Sequence, residues 1–569
     1  MDERSLFYQD LIRKCNSSRE SRREFYRLMR TYYLFGCDDS ATMDTMARFN
    51  NIFPHLDQLS SFMFSPETTR FTINLGPSVN LEEQYKVPPM MQGIHREWHG
   101  QGDGGIDTDF KCALDWASVY ASTFMKFRWK NWKRKREDGE WEEGGGLQHF
   151  IVEPHNMGFL REDKRGLYKQ EAFCETYYIT RSQLSNELEA AAHPNRVEII
   201  AGAQAGAVTE GQITAGPIDR LIVTSIQGGS ITGNASFWGS PLTMLYRPQT
   251  IEDMIEMTEL YVFDDDIGDY RVVTYMAPQW PIWDRPLGKI FVPNLIPYIQ
   301  ICPRPANDYI WGHSEVEKLI PLQDMLNERI QDIRHLLKKQ AHAPSSVTGE
   351  TAIMDEMALA LDTPGGLLAI ASPASTVKSH EPTIAGDLWN DVRQIKEFFG
   401  EVSGLPPINQ GKGEKGVRSQ GQTQLLSQLG STRPKNRALI VEESLDAIAD
   451  LIVKVLRRYD KRPYREEKEG GVQFLANQFT SDFEAKVDGH SSSPVFLENY
   501  EDKVFALLDR GLIDKEEALM LLDIPLKALL KQKLVTKIEP AEAAAKKKED
   551  DIKIASIMAK RQHGQGPAQ

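Results

Sequence analysis

Four stretches of this sequence carry side chains whose types and spacing could do chemistry. From Ser403 to Gln422, Gly404, Gly411, Gly413, Gly416 and Gly421 are interleaved with Lys412, Lys415 and Arg418, and Pro406 and Pro407 stand near the start. Glycine and lysine together suggest a phosphate cradle. A nucleotide-binding loop of that type needs Gly-x-x-x-x-Gly-Lys followed by Ser or Thr, so that backbone amides and the lysine hold phosphate and the hydroxyl holds magnesium. Here Gly411-Lys412 is followed by Gly413, and Pro406 occupies the position five before Gly411. The stretch reads instead as a loop able to touch a polyanion. His95 and His99 are four apart, on one face if helical. A zinc-protease pair needs Glu directly after the first His, and here the glutamate is Glu97, with no third ligand nearby.

Lys126 to Arg136 interleaves Lys126, Arg128, Lys130, Lys133, Arg134, Lys135 and Arg136 with Phe127, Trp129 and Trp132. Rings that stack on bases beside cations that reach phosphate are a nucleic-acid pattern. On a strand, however, neighbouring residues face opposite sides, and a solvated basic hairpin fits the same residues. Asp264-Asp265-Asp266-Ile267-Gly268-Asp269 is acidic, but its glycine falls one place too early for a calcium-binding EF-hand loop, and no helix precedes it. There is no Gly-x-Ser-x-Gly elbow and no paired-carboxylate arrangement. The expectation is a protein that is not an enzyme and takes no cofactor or metal.

The elements that must position these stretches alternate between helical and strand-like. Leu6, Leu11, Phe25, Leu28 and Met29 recur with helical spacing, as do residues of a second run from about Thr42 to Phe64 and a third from about Asp107 to Thr123. Phe124 to Trp132 reads as a strand, with a turn at Asp138-Gly139, and Phe150, Val152, Phe159, Phe173 and Tyr177 sit in further short strands. Ala201 to Ser240 is rich in Gly, Ala, Thr and Ser and reads as hairpins or long loops. Tyr261-Val262-Phe263 and Tyr270-Arg271-Val272-Val273 predict two strands joined by the acidic turn. Ser314 and Glu317 have capping-box spacing ahead of one apolar stripe from Leu319 to Leu337, with Pro321 kinking or delaying the helix. Leu388, Val392, Ile395, Phe399 and Val402 form a second stripe. A third long helix runs from near Gln422 to Tyr459, with a bend at Pro434. The glycine- and lysine-rich loop is therefore slung between two long helices.

The chain has 569 residues, three or four domains' worth at roughly 150 residues each. Its net charge is −14 and its hydrophobic fraction 41%, a globular composition whose acidic balance opposes tight wrapping of a polyanion. No stretch reaches the roughly 20 apolar residues of a membrane helix, and the start at Asp2-Glu3-Arg4 lacks a signal-peptide run. The five cysteines, Cys15, Cys37, Cys112, Cys174 and Cys302, are widely spaced and read as reduced thiols rather than a disulfide framework.

In order, these segments resemble the portal, or head-to-tail connector, proteins of tailed double-stranded DNA bacteriophages of the short-tailed type. The opening helices with Phe53 to Phe64, and Val119-Tyr120-Ala121-Ser122 running into Phe124 to Trp129, carry part of the resemblance. So do Phe150 to Asn156, and Ile299-Gln300-Ile301 followed by Tyr309 to Ser314 and Leu322 to Asn327. The resemblance spans about residues 5 to 530. It implies an α+β fold, mainly α, with helical wing, stem and crown, small β-rich wing and clip regions, and assembly as a ring, usually a dodecamer. Under it, residues 1–258 form the wing, 259–312 the clip and the way into the stem, and 313–343 the stem helix. Residues 344–402 return to the wing, 403–422 are the tunnel loop, 423–497 a long helix and connection, and 498–569 a C-terminal helical crown and frayed tail. Gln410, Lys412, Lys415 and Arg418 would face DNA from the tunnel loop. Asp264, Asp265, Asp266 and Asp269 would dock the terminase large subunit and later the head–tail adaptor or tail proteins. The other implied partners are major capsid and scaffolding proteins and the duplex itself, with no membrane; the place is the virion, after assembly in the host cytoplasm. The competing reading from the residues is a nucleic-acid-binding protein acting through 126–136.

Overall fold

The computed structural model describes residues 3–36, 49–76, 81–100, 105–135, 141–203, 206–209, 250–276, 280–341, 345–348, 376–379, 386–405, 432–468, 470–487 and 507–511. The chain divides into two compact units, Met1–Val495 and Phe496–Gln569. All the elements named below belong to the first. Only residues 507–511 of the second are described, so the crown assignment lies outside the described residues.

Helices α1 (Glu3–Ser21), α2 (Arg23–Phe35) and α3 (Ile52–Met63) precede β1 (Phe71–Leu75), and α4 (Val87–His99) and α5 (Ile106–Tyr120) follow. Then come β2 (Thr123–Lys135), β3 (Trp141–Val152), β4 (Met157–Phe159) and β5 (Ala172–Thr180), and after them α6 (Arg181–Ala190), α7 (Arg196–Gly202) and β6 (Gly206–Thr209). Strands β7 (Thr250–Asp264), β8 (Asp269–Met276), β9 (Trp280–Pro286) and β10 (Tyr298–Ile301) lead to α8 (Ile320–Ala341). Strands β11 (Ser345–Thr348) and β12 (Thr376–Ser379) pair with each other and stand between α8 and α9 (Gly386–Ser403) in the chain. Helix α10 (Thr432–Tyr459) is followed by β13 (Pro463–Arg465), β14 (Gln473–Leu475) and β15 (Phe483–Val487). The fold is mixed helix and sheet, and among the described residues no sheet closes into a barrel.

Helix α10 is the spine. Val441, Leu445, Ile448, Ala449, Leu451, Ile452, Val453, Val455 and Leu456 are all buried, so apolar residues cover most of its circumference. A helix of that composition belongs inside a core. Around it pack Met90, Ile94 and Trp98 of α4, Phe110 and Leu114 of α5, and Phe124, Met125 and Phe127 of β2. Pro434 lies in the first described turn of α10, and residues 422–431, over which this helix was expected to begin, lie outside the described residues.

The two larger antiparallel sheets lie beside this spine. One has the order β10-β2-β3; the other runs β4-β5-β7-β8-β9, with β6 also paired to β7. Alternation of side chains sorts the larger sheet's faces. Phe173, Tyr261, Tyr270 and Val272 enter the main core, while Cys174, Leu260 and Val273 meet Tyr8, Leu11 and Cys15 of α1. The predicted hairpin at the acidic turn forms with Asp264 opposite Asp269. It belongs to this larger sheet, and the boundary expected between residues 258 and 259 falls inside β7, because β7 pairs continuously with β5 and β8 across it.

A buried charged knot joins the two sheets. Lys126 of β2 lies 2.6 Å from both Glu175 of β5 and Glu259 of β7. The phenol of Tyr298 on β10 donates to Glu175, and that of Tyr261 donates to Glu259 at 3.2 Å. Burial pushes the Lys126 ammonium down, but the two carboxylates outweigh it and hold it above ordinary lysine. The phenols of Tyr177, Tyr261 and Tyr298 are pushed well up, first by burial and then by the same carboxylates.

Helix α8 begins at Ile320, with Pro321 in its first turn, so the proline delays the helix as its rigid φ requires. The expected capping box at Ser314 does not start it: Ser314 accepts the Val316 amide and donates to the carbonyl of Val119. The stripe of α8 is covered within the chain at Leu326 and Ile333, by a cluster that includes Tyr26, Tyr32, Leu56, Ile395 and Phe399. Toward its far end Leu337 is 46% exposed, and Trp389 at the start of α9 is 55% exposed.

Lys126→Met should lower stability by about 3–5 kcal/mol, because it leaves the buried Glu175 and the half-buried Glu259 without their cation. Urea denaturation followed by tryptophan fluorescence would measure this, and a change under 1 kcal/mol would show the knot to be dispensable.

Candidate functional site

The best-built polar site in the described structure holds the two ends of the 406–431 stretch. Helix α9 stops at Gly404, whose φ of +79° is the left-handed turn that glycine adopts without strain. The amides of Gly404 and Leu405 both donate to the carbonyl of Gly400, at 3.0 and 2.9 Å. A Cβ at position 404 would stand 3.0 Å from the Arg433 side chain, so the glycine also makes room for α10.

From the first turns of α10, Arg433 donates to the carbonyl of Glu401 and Arg437 to that of Ser403, both at 2.9 Å. Two guanidiniums therefore satisfy the last carbonyls of α9, where the helix dipole favours positive charge. Arg437 turns its other nitrogens to Glu315, with contacts of 3.1 Å to both carboxylate oxygens, and Arg304 approaches at 3.8 Å. The Glu315 backbone amide donates to the carbonyl of Ser118 at the end of α5. Glu315 is 5% exposed. Burial pushes its carboxyl up against the pull of Arg437 and Arg304, and burial likewise pushes the Arg437 guanidinium down. The result is a clamp: α9, α10, the turn before α8 and the end of α5 are tied at one buried ion pair. Whatever 406–431 does, it does from two fixed points.

Gln410, Lys412, Lys415 and Arg418 lie within 406–431, outside the described residues. The acidic hairpin is described, and its four carboxylates divide. Asp264 accepts from Arg271 at 3.0 Å, and that hydrogen bond holds its carboxyl below the ordinary range, while Arg4 of α1 stands 3.8 Å away. Asp269 is buried, and its oxygens take the amides of Tyr270, Gly288 and Asn294. It locks the sheet and faces no partner. Asp265 and Asp266 are exposed at the tip with Ile267.

The basic aromatic segment is divided where its side chains are described: Lys126, Phe127 and Trp129 are taken into the fold, and Arg128 and Lys130 are exposed. Lys126 is in the buried knot and Phe127 is in the core. Trp129 stacks on Tyr459 at 6.1 Å and crosses Gly145, where a Cβ would come within 2.4 Å of its ring. Arg128 donates to Gln148. The hairpin register sets Lys133 opposite Glu143 and Arg134 opposite Glu142.

His95 and His99 do share one face of α4, with rings stacked 6.1 Å apart. Burial lowers the His95 imidazole, and His99 pairs with Asp107 at 3.0 Å. Glu97 is taken by Arg462 at 2.8 Å and by the Leu147 amide. Among the described residues no group of three or more His, Cys, Asp or Glu side chains could hold a metal ion, and no helix is long and apolar enough to cross a membrane.

Sequence reasoning passed over Glu315, Arg433 and Arg437. The only local signal was two arginines four apart at a helix start; their partners are 30 or more residues away.

Among known proteins, no family model and no curated protein matches this chain. Among solved structures, a chain in the neck of an empty gene transfer agent particle, computed with C6 symmetry, is similar at 10% identity. It covers 85% of this chain and 93% of its own, with a TM-score of 0.40. A chain in the virion of a native gene transfer agent particle is similar at 9% identity, over 85% and 93%, with a TM-score of 0.39.

Arg437→Ala should cost about 3–5 kcal/mol by leaving Glu315 in the interior with only the more distant Arg304 near it. The double change Glu315→Gln with Arg437→Met should recover most of that loss. A double-mutant cycle from denaturation midpoints gives the coupling, and additive losses would mean the clamp is not a unit.

Proposed function

We propose that this chain is a subunit of a portal-type ring at a phage capsid vertex, through which double-stranded DNA is packaged and later ejected. The observation that carries this reading is the clamp. It holds both ends of a glycine-, lysine- and arginine-rich stretch on the same rigid frame that bears the α8–α9 pair. The same pair leaves apolar residues uncovered at Leu337 and Trp389, which in a ring of copies a neighbour would cover. Twelve copies is the number proposed.

The chemistry fits passage rather than capture. A net charge of −14 repels a duplex, so contact falls to a few cations in the 406–431 stretch. Lys412, Lys415 and Arg418, with Gln410, would brush phosphates as the duplex moves, and the glycines would let the backbone follow a grooved, turning rod. No bond is made or broken, so the protein acts as a conduit and not as an enzyme. The proposed partners are the terminase large subunit, the head–tail adaptor or tail proteins, and the major capsid and scaffolding proteins. The proposed place is the virion, after assembly in the host cytoplasm.

For docking, the exposed pair Asp265 and Asp266 is the part of the acidic hairpin free to meet a partner. Asp264 and Asp269 serve the sheet itself.

Negative-stain imaging of the purified protein should show closed rings with an open centre, and a monomer at every concentration would overturn the reading. Replacing Lys412, Lys415 and Arg418 together by Ala should leave rings intact and reduce packaged or retained DNA; unchanged DNA yield would remove the loop from the mechanism. Asp265→Asn with Asp266→Asn should weaken terminase binding without loss of stability. Unchanged binding would rule out the acidic hairpin as the docking contact.

A further inference from the structure

We infer that Cys15 and Cys174 form a closable dithiol, a site of oxidative modification at which a disulfide staples α1 to the larger sheet. Both side chains are fully buried, and they meet where α1 crosses β4 and β5. Gly158 of β4 makes the approach possible. A Cβ there would stand 2.5 Å from the Cys15 carbonyl oxygen and 3.1 Å from the Cys174 sulfur. The Cys174 sulfur also faces Asn16, the residue after Cys15, at 3.8 Å. The other described cysteines, Cys112 and Cys302, lie outside this cluster.

The two thiols are not equivalent. They hydrogen-bond each other, which raises Cys15 and lowers Cys174, and Arg19 on the next turn of α1 favours the Cys174 thiolate further. Cys174, whose sulfur faces the Asn16 side chain, is the thiol that reacts first in this proposal. With a small-molecule disulfide as oxidant, its thiolate attacks one sulfur of the oxidant and releases one thiolate, leaving a mixed disulfide on Cys174. Cys15 gives its proton to solvent, attacks the Cys174 sulfur and expels the second thiolate. Two protein thiols are oxidised and one external disulfide is reduced to two thiols.

Access to buried sulfur requires α1 to lift, and α1 is built to do so. Its inner face contributes Tyr8, Leu11 and Cys15 to a small cluster separate from the main core, while Leu6 and Phe7 remain exposed. Elements held by few buried contacts open below the global unfolding free energy. Closing the disulfide removes that opening.

The test uses the full chain. Incubation with oxidised glutathione under native conditions, acid quenching, and alkylation in denaturant should reduce the alkylatable thiols from five to three. Peptide mapping should find the peptide carrying Cys15 linked to that carrying Cys174. Hydrogen exchange at the α1 amides should then slow by about tenfold or more. Retention of five thiols, glutathione adducts in place of the linked peptide, or unchanged α1 exchange would each overturn the proposal. Cys15→Ser should abolish both the linked peptide and the response of α1 to oxidant; if that variant does not fold, the mapping of the unaltered chain decides alone.

Discussion

An ionised carboxylate at 5% exposure is stable only where a cation and hydrogen bonds replace its lost water, and Glu315 has that replacement only when four elements are in place at once. Arg437 must be at the start of α10, Arg304 must follow β10, and the turn before α8 must lie against the end of α5. The same guanidinium ends α9 by taking the Ser403 carbonyl. This one pair therefore fixes the geometry from which the α8–α9 pair and the 406–431 stretch depart. Removing either partner alone is costly because the other stays buried and charged, so the interaction specifies an arrangement more than it adds net stability.

The Lys126 knot does the same for the sheets. Its three charged groups come from β2, β5 and β7, and phenols from β10 and β7 fill the remaining acceptor positions. It also takes part of a segment with the composition of a nucleic-acid binder into the fold. The cation at its start is committed to carboxylates, Phe127 belongs to the core, and Trp129 lies along the hairpin against Tyr459. Interleaved charge and aromatic residues on a strand point to opposite faces, and here one of those faces is the protein interior.

The acidic hairpin shows how a run of like residues can be divided by its surroundings. Four aspartates within six positions looked like one docking patch. A turn between paired strands exposes only its tip, so Asp265 and Asp266 meet solvent, while Asp269 turns inward to three backbone amides that would otherwise be unpaired. Asp264, on the strand, is tied to Arg271 and approached by Arg4.

Local pattern alone determined much of this protein. The helical periodicities around Phe110, Leu326, Ile395 and Leu445, the strand pairs at Phe124 and Tyr261, the delay at Pro321 and the acidic turn are all set by residues within a few positions of one another, and so could be read directly. The loop residues Gln410, Lys412, Lys415 and Arg418 were singled out by composition, and the described residues bear only on the frame that holds them. Tertiary structure decided what pairs across long sequence separations: Glu315 with Arg437, Lys126 with Glu175 and Glu259, Cys15 with Cys174. It also decided that Ser314 caps a turn and that β7 to β9 belong to the larger sheet. The physical reason is the same throughout. Periodicity reports which face of an element is buried, but which distant charge or thiol meets it there depends on how the whole chain closes.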